Sequence, residues 1–118
     1  RDSVEAIVAT LGAGGEAWQT KAAAAVQSRS PLSLKLTLAA VRAARGMSSL
    51  EEALNLEYRL TTRLFLSGEF VEGVRALLVD KDKAPQWNPA SLEAVSDAMV
   101  AEFMGPLGES EELGLAAP

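Results

Sequence analysis

Histidine and cysteine are both absent from the chain, and together the two gaps close off much of enzyme chemistry. Without cysteine there is no disulfide framework and no thiol nucleophile. Without histidine there is no Ser-His triad, and without either there is no zinc site of the Cys/His kind. Carboxylates, Lys, Tyr and Ser/Thr are what remain for catalysis, and a cysteine-free chain is compatible with a reducing cytosol. Aromatic residues are scarce as well, at 5%, which disfavours a β-sandwich rich in Val, Tyr and Phe. No apolar run approaches the roughly 20 residues of a membrane span, and no basic segment followed by an apolar one opens the chain. The expectation is a cytoplasmic protein that holds neither a metal nor a tightly bound cofactor and has no membrane partner.

What is present points to helices. The 118 residues are 48% hydrophobic and 23% charged, the balance of a folded protein with one core, and Ala and Leu dominate, which favours an all-α fold packed through small side chains. The net charge of −5 is uneven: residues 1–49 carry six basic and three acidic side chains, residues 50–118 five basic and thirteen acidic. The halves are therefore +3 and −8. A duplex-binding protein needs a basic stripe to release counterions, so nucleic acid is excluded as a partner.

Five to six helices are expected from caps and periodicity. Asp2 and Glu5 form an acidic start for a first helix that closes at the glycines of residues 12–15. "EAWQTKAAAAVQSR" is a second, with Trp18, Ala22, Ala25 and Val26 on one side. In "SPLSLKLTLAAVRAARG" the leucines at 32, 34, 36 and 38 alternate as in a strand, yet Ser30-Pro31 is a cap and first-turn pair, the run of helix formers continues, and Gly46 ends it. Read as a helix, it is apolar nearly all round and requires neighbours on more than one side. Ser49 and Glu52 cap the next, which stops at Gly68; "EFVEGVRALLVD" is another, its Gly73 implying a close packing contact. "KDKAPQWNPA" is a loop, and Ser91 or Asn88 caps a last helix over about 92–104. Residues 1–104 thus form one helical domain, and residues 105–118 read as a mobile tail.

Candidate chemistry is thin. Glu69 and Glu72, three apart, could share a face as an acid/base pair; with no neighbouring base or oxyanion donor, a solvated face is the simpler expectation. Asp80 and Asp82 alternate with Lys81 and Lys83, either to hold phosphates or as a charged surface loop. Trp87 stands between two prolines as a ligand platform or, more simply, a hydrophobic plug. "GAGG" lacks the Lys-Ser/Thr of a phosphate-binding loop. The residues describe a helical module with no catalytic residue of its own.

"SVEAIVATL", "SPLSLKLTL", "EYRL" and "GEFVEGVRALLVDKDKAPQWNPASLEAV", in that order and spacing, resemble the C-terminal portion of the 3-hydroxyisobutyryl-CoA hydrolases, a branch of the enoyl-CoA hydratase/isomerase (crotonase) superfamily. The resemblance covers about Asp2 to Met104. It implies a parent enzyme that cleaves an acyl-CoA thioester in valine breakdown, in the mitochondrial matrix if the source is eukaryotic. The parent's ββα spiral core, with its oxyanion hole and carboxylates, would be an N-terminal partner absent from this sequence. The helices would cap that core and supply subunit contacts in a homo-oligomer, and alone would be inactive. The CoA moiety would arrive with the substrate. By position, Lys81 and Phe65 are the residues that the resemblance implies beside CoA. A hydratase or isomerase of another acyl-CoA is the alternative within the superfamily; a stand-alone helical interaction module is the alternative outside it.

Overall fold

The computed structural model describes residues 3–108 and 110–116, and among them every regular element is helical, as the composition predicts. Helix α1 spans Val4–Ala13, α2 Ala17–Gln27, α3 Pro31–Ala44, α4 Leu50–Ser67, α5 Glu69–Val74 and α6 Asp97–Met104; a π-helical turn, Arg75–Val79, continues α5. Four helices start on a serine. The hydroxyls of Ser3, Ser30, Ser49 and Ser96 accept hydrogen bonds from the N–H groups of Ala6, Ser33, Glu52 and Met99 at 3.0–3.2 Å, satisfying donors that a helix start leaves free. The α1 cap is therefore Ser3; Asp2 lies outside the described residues. Gly68, at φ 87°, ends α4 in the left-handed conformation that glycine adopts without a steric penalty.

The core lies between α3, α4 and the start of α6. Leu32 and Leu36 of α3 meet Leu56 and Leu60 of α4 and Val95, with Met99, Val100 and Phe103 packed around them. Burial resolves the alternating leucines: Leu32 and Leu36 are 2% exposed, whereas Leu34 and Leu38 are only half-buried. That is the i, i+4 pattern of a helix face, not the i, i+2 pattern of a strand. Helix α3 touches α1, α4 and α6, the several neighbours its all-round apolar character requires. Helix α2 packs on α1 alone among the larger contacts and buries only Ala23. Trp18, expected on its apolar side, is instead 63% exposed, and the residue of α2 that is buried, Ala23, lies outside the expected face.

The last helix starts later than its sequence suggests. Residues 91–95 form turns, with Ala94 N–H bonded to Ser91 O and Val95 N–H to Leu92 O. The reason is Lys35, whose Nζ donates to Val95 O at 2.9 Å. A continuous helix would give that carbonyl to Met99 N–H; Ser96 Oγ takes the Met99 donor instead and opens α6. The segment after Met104, expected to be mobile, lies along α4, with Arg59 Nε 3.0 Å from Glu112 and Asn55 bonded to Leu115.

Leu36→Ala removes a fully enclosed side chain and should cost ~2–5 kcal/mol of stability in urea denaturation, while Leu50→Ala, at a side chain 70% exposed, should change it by under ~0.5 kcal/mol. Equal effects would place the core elsewhere.

Candidate functional site

The stretch from α5 to Pro89 builds the most organised part of the surface, and it does so with carboxylates. Glu69 begins α5 facing inward and is 5% exposed. One oxygen accepts from the Ser30 hydroxyl and the other from Asn88 N–H at 3.0 Å. Glu72, one turn later, accepts from Gln86 N–H at 2.7 Å and from Arg75 through both oxygens, at 2.9 and 2.7 Å. The solvated face expected of these two residues is thus not what forms. Their oxygens hold alternate N–H groups of the loop, at 86 and 88, because an extended segment without a sheet partner must find acceptors on side chains. Engaged in this way they act as staples, not as an acid and a base.

Arg75 is the hub. Its Nε and Nη2 grip Glu72, while Nη1 reaches Asp80 and Asp82, each at 2.8 Å. The two aspartates are brought to one guanidinium by Lys81 and Lys83, which take left-handed backbone angles, φ 56° and 54°, at a cost of order 1 kcal/mol each. Lys83 N–H bonded to Ala76 O and Ala84 N–H to Asp82 Oδ1 fix the turn. The charged loop is therefore an ion-pair network. Arg75 beside it lowers the Glu72 carboxyl to about 2, with Gln86 N–H adding to the effect. Asp82 is lowered by the same guanidinium and by Ala84 N–H, and Arg75 is raised in turn by Glu72, Asp82 and Asp80.

Trp87 closes the arrangement. A Cβ added to Gly73 would lie 3.3 Å from the indole Cη2, so the glycine inside α5 is the close contact its position predicts. The indole Nε1–H donates to Ser28 O at 3.2 Å, linking the loop to the end of α2. Beside it opens a groove of about 960 Å³. Phe65, Phe70, Leu77 and Leu78 supply apolar walls, and Ser30, Glu69, Arg29 and Lys83 the polar lining. The Phe65 and Phe70 ring centroids are 6.3 Å apart. Of the two residues the resemblance implies, Phe65 lines the groove and Lys81 does not; Lys81 is exposed on the loop, and the cations that line the groove are Arg29 and Lys83. Nothing in "DKDK" distinguishes the two lysines, since their directions are set by the left-handed turn. With an apolar wall, two cations and no free nucleophile–base pair among its lining residues, the groove is suited to binding.

Above pH ~4.5, the ordinary value, Glu72 is ionised folded or unfolded and its contribution to stability is complete; that contribution is lost as pH falls toward its folded value of about 2. In a Trp18→Phe background, Trp87 fluorescence should stay constant down to about pH 4.5 and shift to the red toward pH 2. Arg75→Ala should show the red-shifted emission already at neutral pH. Emission that is blind to Arg75→Ala would separate the indole from the network.

The family model for enoyl-CoA hydratase/isomerase matches residues 1–104, ending with α6. The mitochondrial 3-hydroxyisobutyryl-CoA hydrolase of Gallus gallus is 44% identical over 110 residues, covering 93% of this chain and 28% of that protein. The small ribosomal subunit protein mS47 of Arabidopsis thaliana is 42% identical over 98 residues, covering 80% and 24%. Among solved structures, a carnitinyl-CoA dehydratase from Mycobacterium thermoresistibile superposes with a TM-score of 0.87 at 38% identity, over 97% of this chain and 32% of that one. An enoyl-CoA hydratase from Rhodobacter sphaeroides 2.4.1 gives 0.87 at 35%, over 96% and 33%. The chain thus spans about 28% of the length of the hydrolase it matches and about a third of each solved chain. The match over nearly all of its own residues, in sequence and in helix arrangement alike, makes it a member of the enoyl-CoA hydratase/isomerase family.

Proposed function

We propose that this chain is the helical cover of an acyl-CoA thioester hydrolase of the 3-hydroxyisobutyryl-CoA type, acting in valine breakdown, and that its chemistry belongs to a catalytic core outside the present sequence. The observation that carries the proposal is the apolar ridge along the end of α4, α5 and the π-helical turn. Phe65, Leu66, Phe70, Val71, Leu77, Leu78 and Val79 are all at least 55% exposed. A water-facing surface rarely keeps so many large apolar groups together unless it is a contact site. At ~25 cal/mol per Å², several hundred Å² left uncovered forgoes ~10 kcal/mol of burial. The core, or a neighbouring subunit of a homo-oligomer, is the partner that would cover it, and the groove beside the ridge is where the CoA moiety of the substrate would pass. Phe65 would meet the adenine, and Lys81, two residues before the groove-lining Lys83, the phosphates where they leave the groove.

Two further readings have specific support. Carnitinyl-CoA dehydratase and enoyl-CoA hydratase among the solved relatives favour a hydratase or isomerase of another acyl-CoA. The ribosomal protein among the relatives favours a non-catalytic interaction module. Among the described residues no helix is long and apolar enough to cross a membrane, and the hydrolase relatives are mitochondrial by name; the cytoplasm, or the mitochondrial matrix in a eukaryote, is the compartment proposed.

In an active enzyme carrying this chain, Lys81→Ala should raise KM for an acyl-CoA by about fivefold to tenfold, the value of one charge-assisted contact. KM for the matching acyl-pantetheine should stay unchanged, and equal effects on both would reject the phosphate role. The chain alone should self-associate as its concentration rises in light scattering. The paired changes Phe70→Asp and Leu78→Asp on the ridge should return it to a single species.

A further inference from the structure

Helix α4 presents a row of polar side chains that holds the segment after α6, which turns where Glu111 N–H and Glu112 N–H bond to Gly108 O. Asn55, Arg59 and Arg63 recur at four-residue intervals and so stand one above another on the helix. Asn55 exchanges two hydrogen bonds with one backbone unit: Nδ2 donates to Leu115 O at 2.8 Å and Oδ1 accepts from Leu115 N–H at 2.9 Å. This is how one strand residue pairs with another. Arg59 Nε lies 3.0 Å from both carboxylate oxygens of Glu112, which also accepts from Leu107 N–H. Arg63 donates to the carbonyls of Phe103, Gly105 and Pro106 at 2.8, 2.5 and 2.8 Å.

The contacts fall into two sets. Arg63 anchors the end of α6 and its exit, up to Pro106. Asn55 and Arg59 hold the later part of the segment, at Leu115 and Glu112, through backbone atoms and one carboxylate. That form of recognition does not depend on the segment being part of the same molecule. Leu113 and Leu115 remain 42% and 41% exposed, so the segment is held at the surface through polar contacts, where local opening is easiest. Gly108 comes two residues after the last Arg63 contact, and its carbonyl accepts from Glu111 and Glu112 N–H in the turn that brings the Glu112 carboxylate to Arg59 and Leu107 N–H. The sequence there, "GESEELG", carries three glutamates, and Glu112 is the one paired with Arg59.

We propose that the Asn55–Arg59 row is a docking site for an acid-bearing peptide segment, that this chain's own segment around Glu112 and Leu115 is its resident occupant, and that the same segment of a second copy can replace it. The surface is separate from the apolar ridge and requires no CoA.

The test uses the full chain and a fluorescein-labelled peptide of residues 106–116, PLGESEELGLA, monitored by fluorescence anisotropy. The resident segment competes in the unaltered chain, so binding there is weak. Glu112→Gln in the chain loosens the resident and leaves α4 intact; it should tighten peptide binding at least about fivefold. Adding Arg59→Ala to that variant should reverse the gain by about fivefold or more, as should placing the Glu112→Gln change in the peptide. Unchanged helicity by circular dichroism keeps the comparison among folded chains. Absence of saturable binding to the Glu112→Gln chain at millimolar peptide, or binding that Arg59→Ala leaves as it was, overturns the proposal.

Discussion

The position of α5 and of the loop and helix after it rests on one buried carboxylate. Glu69 brings a charge into a site 5% exposed, which is unfavourable unless each oxygen finds a donor. It finds two, from elements far apart in the chain. Ser30, which supplies one, is at the same time the cap of α3, accepting from Ser33 N–H as it donates to Glu69. Asn88 N–H supplies the other. The start of α3, the start of α5 and the end of the loop before α6 are thereby fixed to one point. Chained hydrogen bonds of this kind polarise each other, and loss of any member leaves a buried polar group without its partner.

The same physical problem is solved twice in the molecule. A chain whose regular elements are helices still has extended connections, and their N–H and C=O groups have no sheet to join. After α5, Glu69 and Glu72 take the donors at Asn88 and Gln86. After α6, Asn55 and Arg63 take backbone groups from Phe103 to Leu115, with Arg59 holding the Glu112 side chain. In both cases side chains one turn apart on a helix take up backbone groups that a connection leaves without a regular partner. Charged and amide residues that resemble a solvated helix face are in fact its acceptors and donors.

Features governed by neighbours three or four residues away are legible in the sequence. Ser30 and Ser49 as caps, Gly68 as a stop and the helical reading of the alternating leucines all rest on local geometry. Features set by long-range pairing are not. Ser30 and Glu69 are 39 residues apart, Arg59 and Glu112 53, and Lys35 and Val95 60. Periodicity carries no record of such pairs, so from the sequence Glu69 reads as solvated, the last helix as longer than α6 and the tail as loose. The site is legible only as far as chemistry is local. Phe65, named by the resemblance, lines the groove, while the directions of Lys81 and Lys83 depend on two left-handed residues that the alternation "DKDK" does not reveal.

The π-helical turn connects the network to the uncovered ridge. Asp80 N–H bonds to Arg75 O, five residues back, at 2.7 Å, so the helix widens there and the phase of its side chains slips relative to an α-helix. Ala76 is consequently turned inward, 2% exposed, while Leu77, Leu78 and Val79 in succession all face outward. In a regular α-helix three consecutive apolar residues would spread over most of the circumference. Arg75 holds the widened turn by gripping Glu72 ahead of it and Asp80 and Asp82 behind it. The energy that such a ridge forgoes in water, ~10 kcal/mol by area, is of the same order as the whole stability of a small domain. Two left-handed residues and a widened helix turn, with leucines kept in solvent, are the cost that the proposed cover role has to offset. The polar network and the apolar ridge are thus two faces of one stretch of chain, the first holding the turn that presents the second.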